Sequence, residues 1–321
     1  MTNHAQNART MENLRARHVE NQRDAAFASH LDRLLRRDDA GALVPEALRL
    51  SSTQETRGIL VIDGPGGGKS SLVDHALRKH SALQQCTYGQ PAWLSISVPS
   101  PATFKSVGLE ILRKTGYSDV GGRKESWNVW EVVRHRPKML GIAVLWIDEA
   151  HDLFCRESAT ILRAIKSLMQ GDGAVIVILS GTEQLAEVIR SDAQVQRRFT
   201  VLNLPQMSDA ADGEDLRDLI GAYAGKAGLG LDLDSDLCGR LIHGARNKFG
   251  RCIEMTLAAI ELALDAGSPE LTSEHFATVW FRQEACEIGE NVFLVGDWRR
   301  IDPDAASHNQ AYSTRKRAAR K

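Results

Sequence analysis

Between Val61 and Leu72 the sequence reads VIDGPGGGKSSL, and the residue types there can do phosphate chemistry. A glycine-rich turn from a strand into a helix points backbone N–H groups at an anion, and the helix adds the positive end of its dipole. A lysine then sets a cation against the β- and γ-phosphates, and the next hydroxyl ligates Mg2+. Here Gly64, Pro65, Gly66, Gly67 and Gly68 form the turn, and Lys69 is the cation. Ser70 is the hydroxyl that would bind cofactor and metal, with Ser71 as a further contact. Asp63 stands where the pattern G-x-x-x-x-G-K-[ST] carries its first glycine, so the loop counted from Gly64 is one residue short. The plain alternative is a glycine-rich turn holding an exposed lysine.

About 80 residues after the lysine, VLWIDEAHDL ends an apolar run with Asp148 and Glu149. The carboxyl edge of a strand in an α/β sheet is where a nucleotide crevice opens. Asp148 would hold Mg2+ through water, and Glu149 would polarise the attacking water. A chance acidic turn explains either motif, but it poorly explains both in this order, so NTP–Mg2+ binding is expected. The run VILSGT brings Ser180 or Thr182 beside Asp148, where either can orient water against a γ-phosphate. Thr182 has a second reading, as the cap of the helix EQLAEVIRS. Arg197 and Arg198 in QVQRRF follow that helix. An arginine there can neutralise transition-state charge, and the alternative is an exposed surface pair. His151 reads as a structural or switch residue. Trp127 and Trp130 in SWNVWEVV read as packing for a helix rather than as a base-stacking platform.

These residues need a sheet to hold them. Strand and helix alternate: GILVI, the loop helix, AWLSISV, TFKSVGLEILRKTG, SWNVWEVVRHR, GIAVLWID, SATILRAIKSLMQ, AVIVILSG, EQLAEVIRS and FTVLNL. Continuous apolar strands separated by helices give an α/β fold, a parallel sheet covered on both faces. Residues 1–20 are polar and expected to be loose, and NQRDAAFASHLDRLLRR (21–37) spaces Phe27, Leu31, Leu34 and Leu35 as an amphipathic helix. Residues 21–205 form the nucleotide-binding core. From 206 to 285 the periodicity is helical with no strand between, a small lid domain. Residues 286–321 are an extension ending in STRKRAARK, five positive residues among the last seven, read either as a solvated end or as a contact for nucleic acid or a partner.

The composition is that of a soluble globular protein, 43% hydrophobic and 25% charged. Forty Lys+Arg against 41 Asp+Glu leave a net charge of −1, so any DNA contact must be local. Cys86, Cys155, Cys238, Cys252 and Cys286 contain no C-x-x-C pair and fit reduced thiols. The polar N-terminus lacks the apolar core of a signal peptide and no run approaches a membrane span, so a cytoplasmic protein without a membrane partner is expected.

The order of the loop, PAWLSISVPSPATFKSVGLEILRKTGY, VLWIDEAHDL, ILSGTEQL and QRRF resembles the TniB/TnsC family of AAA+ transposition ATPases, over roughly residues 25–285. The resemblance implies a P-loop AAA+ core with a helical lid, ATP and Mg2+ as cofactors, and ATP hydrolysis. It implies assembly of a homo-oligomer, a ring or helical filament, on double-stranded target DNA and recruitment or regulation of an integrase-type transposase. In its terms Thr182 or Ser180 takes the sensor-1 position. Arg197 or Arg198 is an arginine finger for a neighbouring subunit, and Arg251 in KFGRCIEM is the sensor-2 candidate, with Arg246 behind it. Two other readings compete: an AAA ATPase acting through protein partners alone, in signalling or secretion, and a replication-initiator or helicase-loader ATPase.

Overall fold

The computed structural model describes residues 2–50, 52–84, 90–117, 125–154 and 158–305. In chain order the elements are α1 (Thr2–Arg15), α2 (Gln22–Asp32), β1 (Leu35–Arg37), β2 (Leu43–Ala47), β3 (Gly58–Ile62), α3 (Lys69–Lys79), β4 (Trp93–Ser97), α4 (Phe104–Lys114) and α5 (Ser126–Leu140). There follow β5 (Val144–Asp148), α6 (Ser158–Leu168), β6 (Ile176–Gly181), α7 (Glu183–Arg190), α8 (Ala193–Gln196) and β7 (Phe199–Asn203). After Pro205 come α9 (Asp209–Ala227), β8 (Gly230–Asp232), α10 (Leu237–Gly244), α11 (Phe249–Ala266), β9 (Glu270–Thr272) and α12 (Ser273–Glu284). The chain forms two units: an α/β unit of residues 18–65 and 69–204, and a helical unit of residues 1–17 and 205 onward, with which Gly66–Gly68 group.

The α/β unit is built on a five-stranded sheet in the order β4-β5-β6-β3-β7, with every neighbouring pair parallel. Its strands read as unbroken apolar runs because both faces are covered, and the period of two sorts their side chains. Leu60, Ile62, Leu145, Ile147, Val177 and Leu179 pack under Phe104 and Val107 of α4, Val129 of α5, Ile161 and Ile165 of α6 and Leu185 of α7. Ile59, Val61, Val144, Trp146, Ile176 and Ile178 pack instead against Phe27 and Leu31 of α2 and Leu72, Val73 and Leu77 of α3. Each such buried aliphatic side chain contributes about 1.5–3 kcal/mol. All five strands run the same way, so β3, β5 and β6 deliver their C-terminal residues to one edge.

The helix expected over residues 21–37 stops at Asp32, and Leu35–Arg37 becomes β1, antiparallel to β2. Asn21 starts α2 with a reciprocal capping box to Asp24. The Asp38 carboxylate accepts from Ala40 N (3.0 Å) and Ala42 N (2.9 Å), and Gly41 takes φ +82°, which closes a turn that a helix cannot follow. Leu34 and Leu35 stay buried, so the apolar spacing served a hairpin as well as it would have served a helix.

In the helical unit, the opening residues are ordered where the sequence suggested a loose end. Met11 and Leu14 of α1 are buried at 2% exposure, Asn7 Nδ2 donates to Leu264 O (3.1 Å), and Arg15 pairs with Glu261 at 2.6 Å. The expectation of no strand here is also corrected, because β8 and β9 form a short parallel pair. Cys238, Cys252 and Cys286 are buried, while Cys86, Cys155 and the basic tail lie outside the described residues. Among the described residues no helix is long and apolar enough to cross a membrane.

Candidate nucleotide site

Strand β3 is buried at every position and releases the chain at Asp63, whose N–H donates to Gly181 O (3.2 Å) at the end of β6. The Asp63 side chain is 5% exposed and accepts from Gly64 N at 2.8 Å, so it ties down the start of the turn where the pattern has glycine. Gly66 (φ +75°) and Gly68 (φ +88°) occupy the left-handed region, which glycine enters without steric cost. Helix α3 opens at Lys69, and its first N–H groups lack helical acceptors and carry the dipole's positive end. The Lys69 ammonium is buried and donates to Asp63 O (3.0 Å) and Gly64 O (2.9 Å), so it is folded back over the loop. Ser70 is half-buried, whereas Ser71 is exposed and its Oγ lies 3.1 Å from His18 Nδ1. Ser70 is thus the hydroxyl that follows the lysine without that competing partner.

Within the helical unit, Arg251 N donates to Gly66 O at 3.0 Å, and a Cβ on Gly66 would lie 2.3 Å from Arg251 Cγ. Burial, and then the like charge of Arg246, pulls the Arg251 guanidinium below its ordinary range. Arg246 is held by Glu284 (3.1 Å), by Asp304 and by Pro303 O, so it is committed within its own unit.

At the end of β5 the two carboxylates diverge. Asp148 Oδ1 accepts from Ser180 Oγ (2.6 Å) on the adjoining strand and from Glu149 N (3.0 Å). Glu149 has φ +52°, unusual for a residue with a Cβ, and its side chain is 52% exposed with Oε2 3.4 Å from His151 Nε2. Ser180, at 0% exposure, donates its one proton to Asp148. Thr182 makes no side-chain cap bond to α7, and its buried Oγ1 has no hydrogen-bond partner among the described residues. That separates the two hydroxyls the sequence left open.

The two arginines also part. Arg198 is 2% exposed: it pairs with Glu55 at 2.6 Å, donates to Lys166 O at 2.9 Å, and its own carbonyl accepts from Gly58 N at 2.8 Å. A guanidinium held this way by its own chain acts as a structural clamp between β7, Glu55 and α6. Arg197, 60% exposed, also touches Glu55 (2.9 Å). Both sit where β7 and β3 begin, a strand's length of roughly 15 Å from the loop at the other end of β3. Changing Arg198 to alanine removes the buried arginine of the pair and leaves Glu55 to the exposed Arg197, and unfolding free energy should fall by roughly 2–4 kcal/mol in urea titrations. The double variant with Glu55→Ala should lose less than the sum of the two single changes.

Trp130 is core, donating from Nε1 to Phe104 O (2.7 Å) and stacking on that ring at 5.0 Å. Trp127 is 65% exposed and meets Phe104 edge-on, so only one of the pair is packing in the sense expected. The sequence reading missed Glu55, for which no local signal exists. It also missed Trp146, whose signal was its place two residues before Asp148 and hence on the same sheet face.

Residues 32–209, more than half of the chain, match the model of the family described as bacterial TniB protein. No curated protein matches the chain. Among solved structures it is similar to Aeropyrum pernix ORC1 in complex with DNA, with TM-score 0.60 and 20% identity, over 83% of this chain and 66% of that one. It is also similar to Aeropyrum pernix ORC2 in its ADPNP-ADP complexes (TM-score 0.57, 16% identity, 84% and 73% covered). A third likeness is to Cdc6p from Pyrobaculum aerophilum (TM-score 0.57, 14% identity, 82% and 68% covered). The chain thus spans about two thirds of the length of ORC1. At these identities the likeness is one of fold, the α/β P-loop ATPase core.

Proposed function

We propose that this chain, which belongs to the bacterial TniB family, is a Mg2+-dependent AAA+ ATPase that assembles on double-stranded DNA and recruits or regulates an integrase-type transposase. One observation supports the ATPase reading above the rest: a buried lysine opening a helix after a glycine turn, and an Asp–Glu pair, at the same edge of one parallel sheet. The glycine turn and its left-handed positions suit the polyphosphate, and the donor set of Ser70 and Asp148 is all oxygen, as Mg2+ requires.

Lys69 would exchange its two carbonyl partners for the phosphate oxygens, while the first N–H groups of α3 and the turn hold the remaining charge. Ser70 Oγ and Asp148 would hold Mg2+, which when bound neutralises charge on the β- and γ-phosphates. Glu149 Oε accepts the proton of the attacking water, and Thr182 Oγ1, buried with no other partner among the described residues, orients that water. Arg251, packed on Gly66, is the proposed phosphate sensor of the helical unit.

Arg197 is the proposed finger. Its place at the opposite end of the strands from its own loop supports action on the site of another copy, in which case ATP would stabilise the assembly that completes the site. Arg197→Ala should leave nucleotide affinity of the isolated chain unchanged and lower ATPase turnover on DNA on the order of 10- to 100-fold. Mixing it with a Lys69→Ala chain should restore part of the activity, since each supplies what the other lacks. Steady-state turnover of the mixture checks this, and activity equal to the sum of the separate chains counts against a shared site.

A net charge of −1 is compatible with DNA binding when small basic patches repeat around an oligomer. Anisotropy of labelled duplex DNA against salt, with and without ATP, tests the proposal. Affinity that needs ATP and falls steeply with salt supports it. Absence of DNA binding with ATPase intact favours the reading in which the partners are proteins alone.

A further inference from the structure

The metal carboxylate is not left to find its own orientation. Val144, Trp146 and Asp148 alternate onto the sheet face that packs against α3, and on β6 Ile176, Ile178 and Ser180 share that face. Trp146 pairs in register with Ile178, so Ser180 lies diagonal to the indole and one step beyond the last register pair, Ile147 and Leu179. The indole Nε1 donates to Ser180 Oγ at 2.9 Å, and Ser180 Oγ donates to Asp148 Oδ1 at 2.6 Å.

The direction of this chain is fixed by its first member. An indole N–H is donor only, so Ser180 accepts there, and its single proton goes to the carboxylate. Asp148 Oδ1 then carries two donors, the hydroxyl and Glu149 N, and Oδ2 receives neither of them. Ser180 is fully buried and Trp146 is 5% exposed, so water does not substitute freely for either.

We propose that Trp146 and Ser180 are positioning residues that form a one-way relay onto Asp148, holding one carboxylate oxygen so that the other is presented to Mg2+, and that they thereby set the metal affinity of the site. The proposal rests on the ATPase reading above but concerns metal binding alone.

The test is an EPR titration of free Mn2+ into protein saturated with ADP, read as the half-saturating Mn2+ concentration, with no turnover involved. Ser180→Ala should raise that concentration about tenfold, the effect of losing one hydrogen bond to a charged group. Ser180→Thr, which keeps the hydroxyl, should stay near the parent value. Trp146→Phe keeps a ring but loses the donor and should give a smaller rise, about threefold. ADP affinity without metal should be unchanged in all three. A folded Ser180→Ala chain with parent Mn2+ affinity overturns the relay. Should Ser180→Ala fail to fold, an unchanged Trp146→Phe does so. If the parent protein itself binds no Mn2+ with ADP, the ATPase reading falls and takes the relay with it.

Discussion

Glu149→Gln should bind ATP within about twofold of the parent affinity and hydrolyse it on the order of a thousandfold more slowly. The substitution is nearly isosteric and removes only the ability to take a proton. Glu149 does not hold the loop: its side chain is half-exposed at the sheet edge, and Asp148 keeps its bonds to Ser180 Oγ and Glu149 N in the variant. On the proposed mechanism ATP would still bind and still support assembly, and the complex could not discharge. Phosphate release measured beside light scattering should show oligomers that persist on DNA long after the parent protein has dissociated. Turnover within about threefold of the parent would identify another proton acceptor. His151, whose Nε2 stands 3.4 Å from Glu149 Oε2, is then the next group to replace.

Lys69→Ala should weaken ATP and ADP binding by at least about a hundredfold, because a charge-assisted donor in a water-poor loop has no substitute. The ammonium is 6% exposed and already desolvated between the carbonyls of Asp63 and Gly64, so part of the cost of placing a cation there is met by folding. Its loss leaves the two carbonyls without their cation and no fixed positive charge in the loop itself. Fluorescent-nucleotide titration reads the loss, and circular dichroism shows that the fold persists. Retained affinity would mean that the turn's N–H groups and the α3 dipole alone carry the phosphates, and the assignment of Lys69 would fail.

What the sequence determined by itself was whatever depends on neighbours along the chain. Four glycines before a lysine compel a strand–turn–helix, and apolar runs such as GILVI and AVIVILSG, too uniform to show a polar face, imply a sheet covered on both sides. The Asp148–Glu149 pair was legible because the end of such a strand is an edge wherever the strand lies in the sheet. The tertiary structure decided what depends on pairing and burial. Ser180 and Thr182 are two residues apart and chemically alike. Only the register of β6 on β5 puts one against Asp148 and leaves the other's hydroxyl without a partner among the described residues. Arg197 and Arg198 are identical in sequence terms, yet Glu55, more than a hundred residues away, meets both while burying one and leaving the other 60% exposed. Leu34 and Leu35 suited a helix until a turn at Asp38–Gly41 and an antiparallel partner in β2 claimed them, because hydrophobic burial is indifferent to which backbone delivers the side chain. Spacing along a chain encodes local geometry, whereas the choice between two like residues is made by contacts that exist only once distant segments have packed.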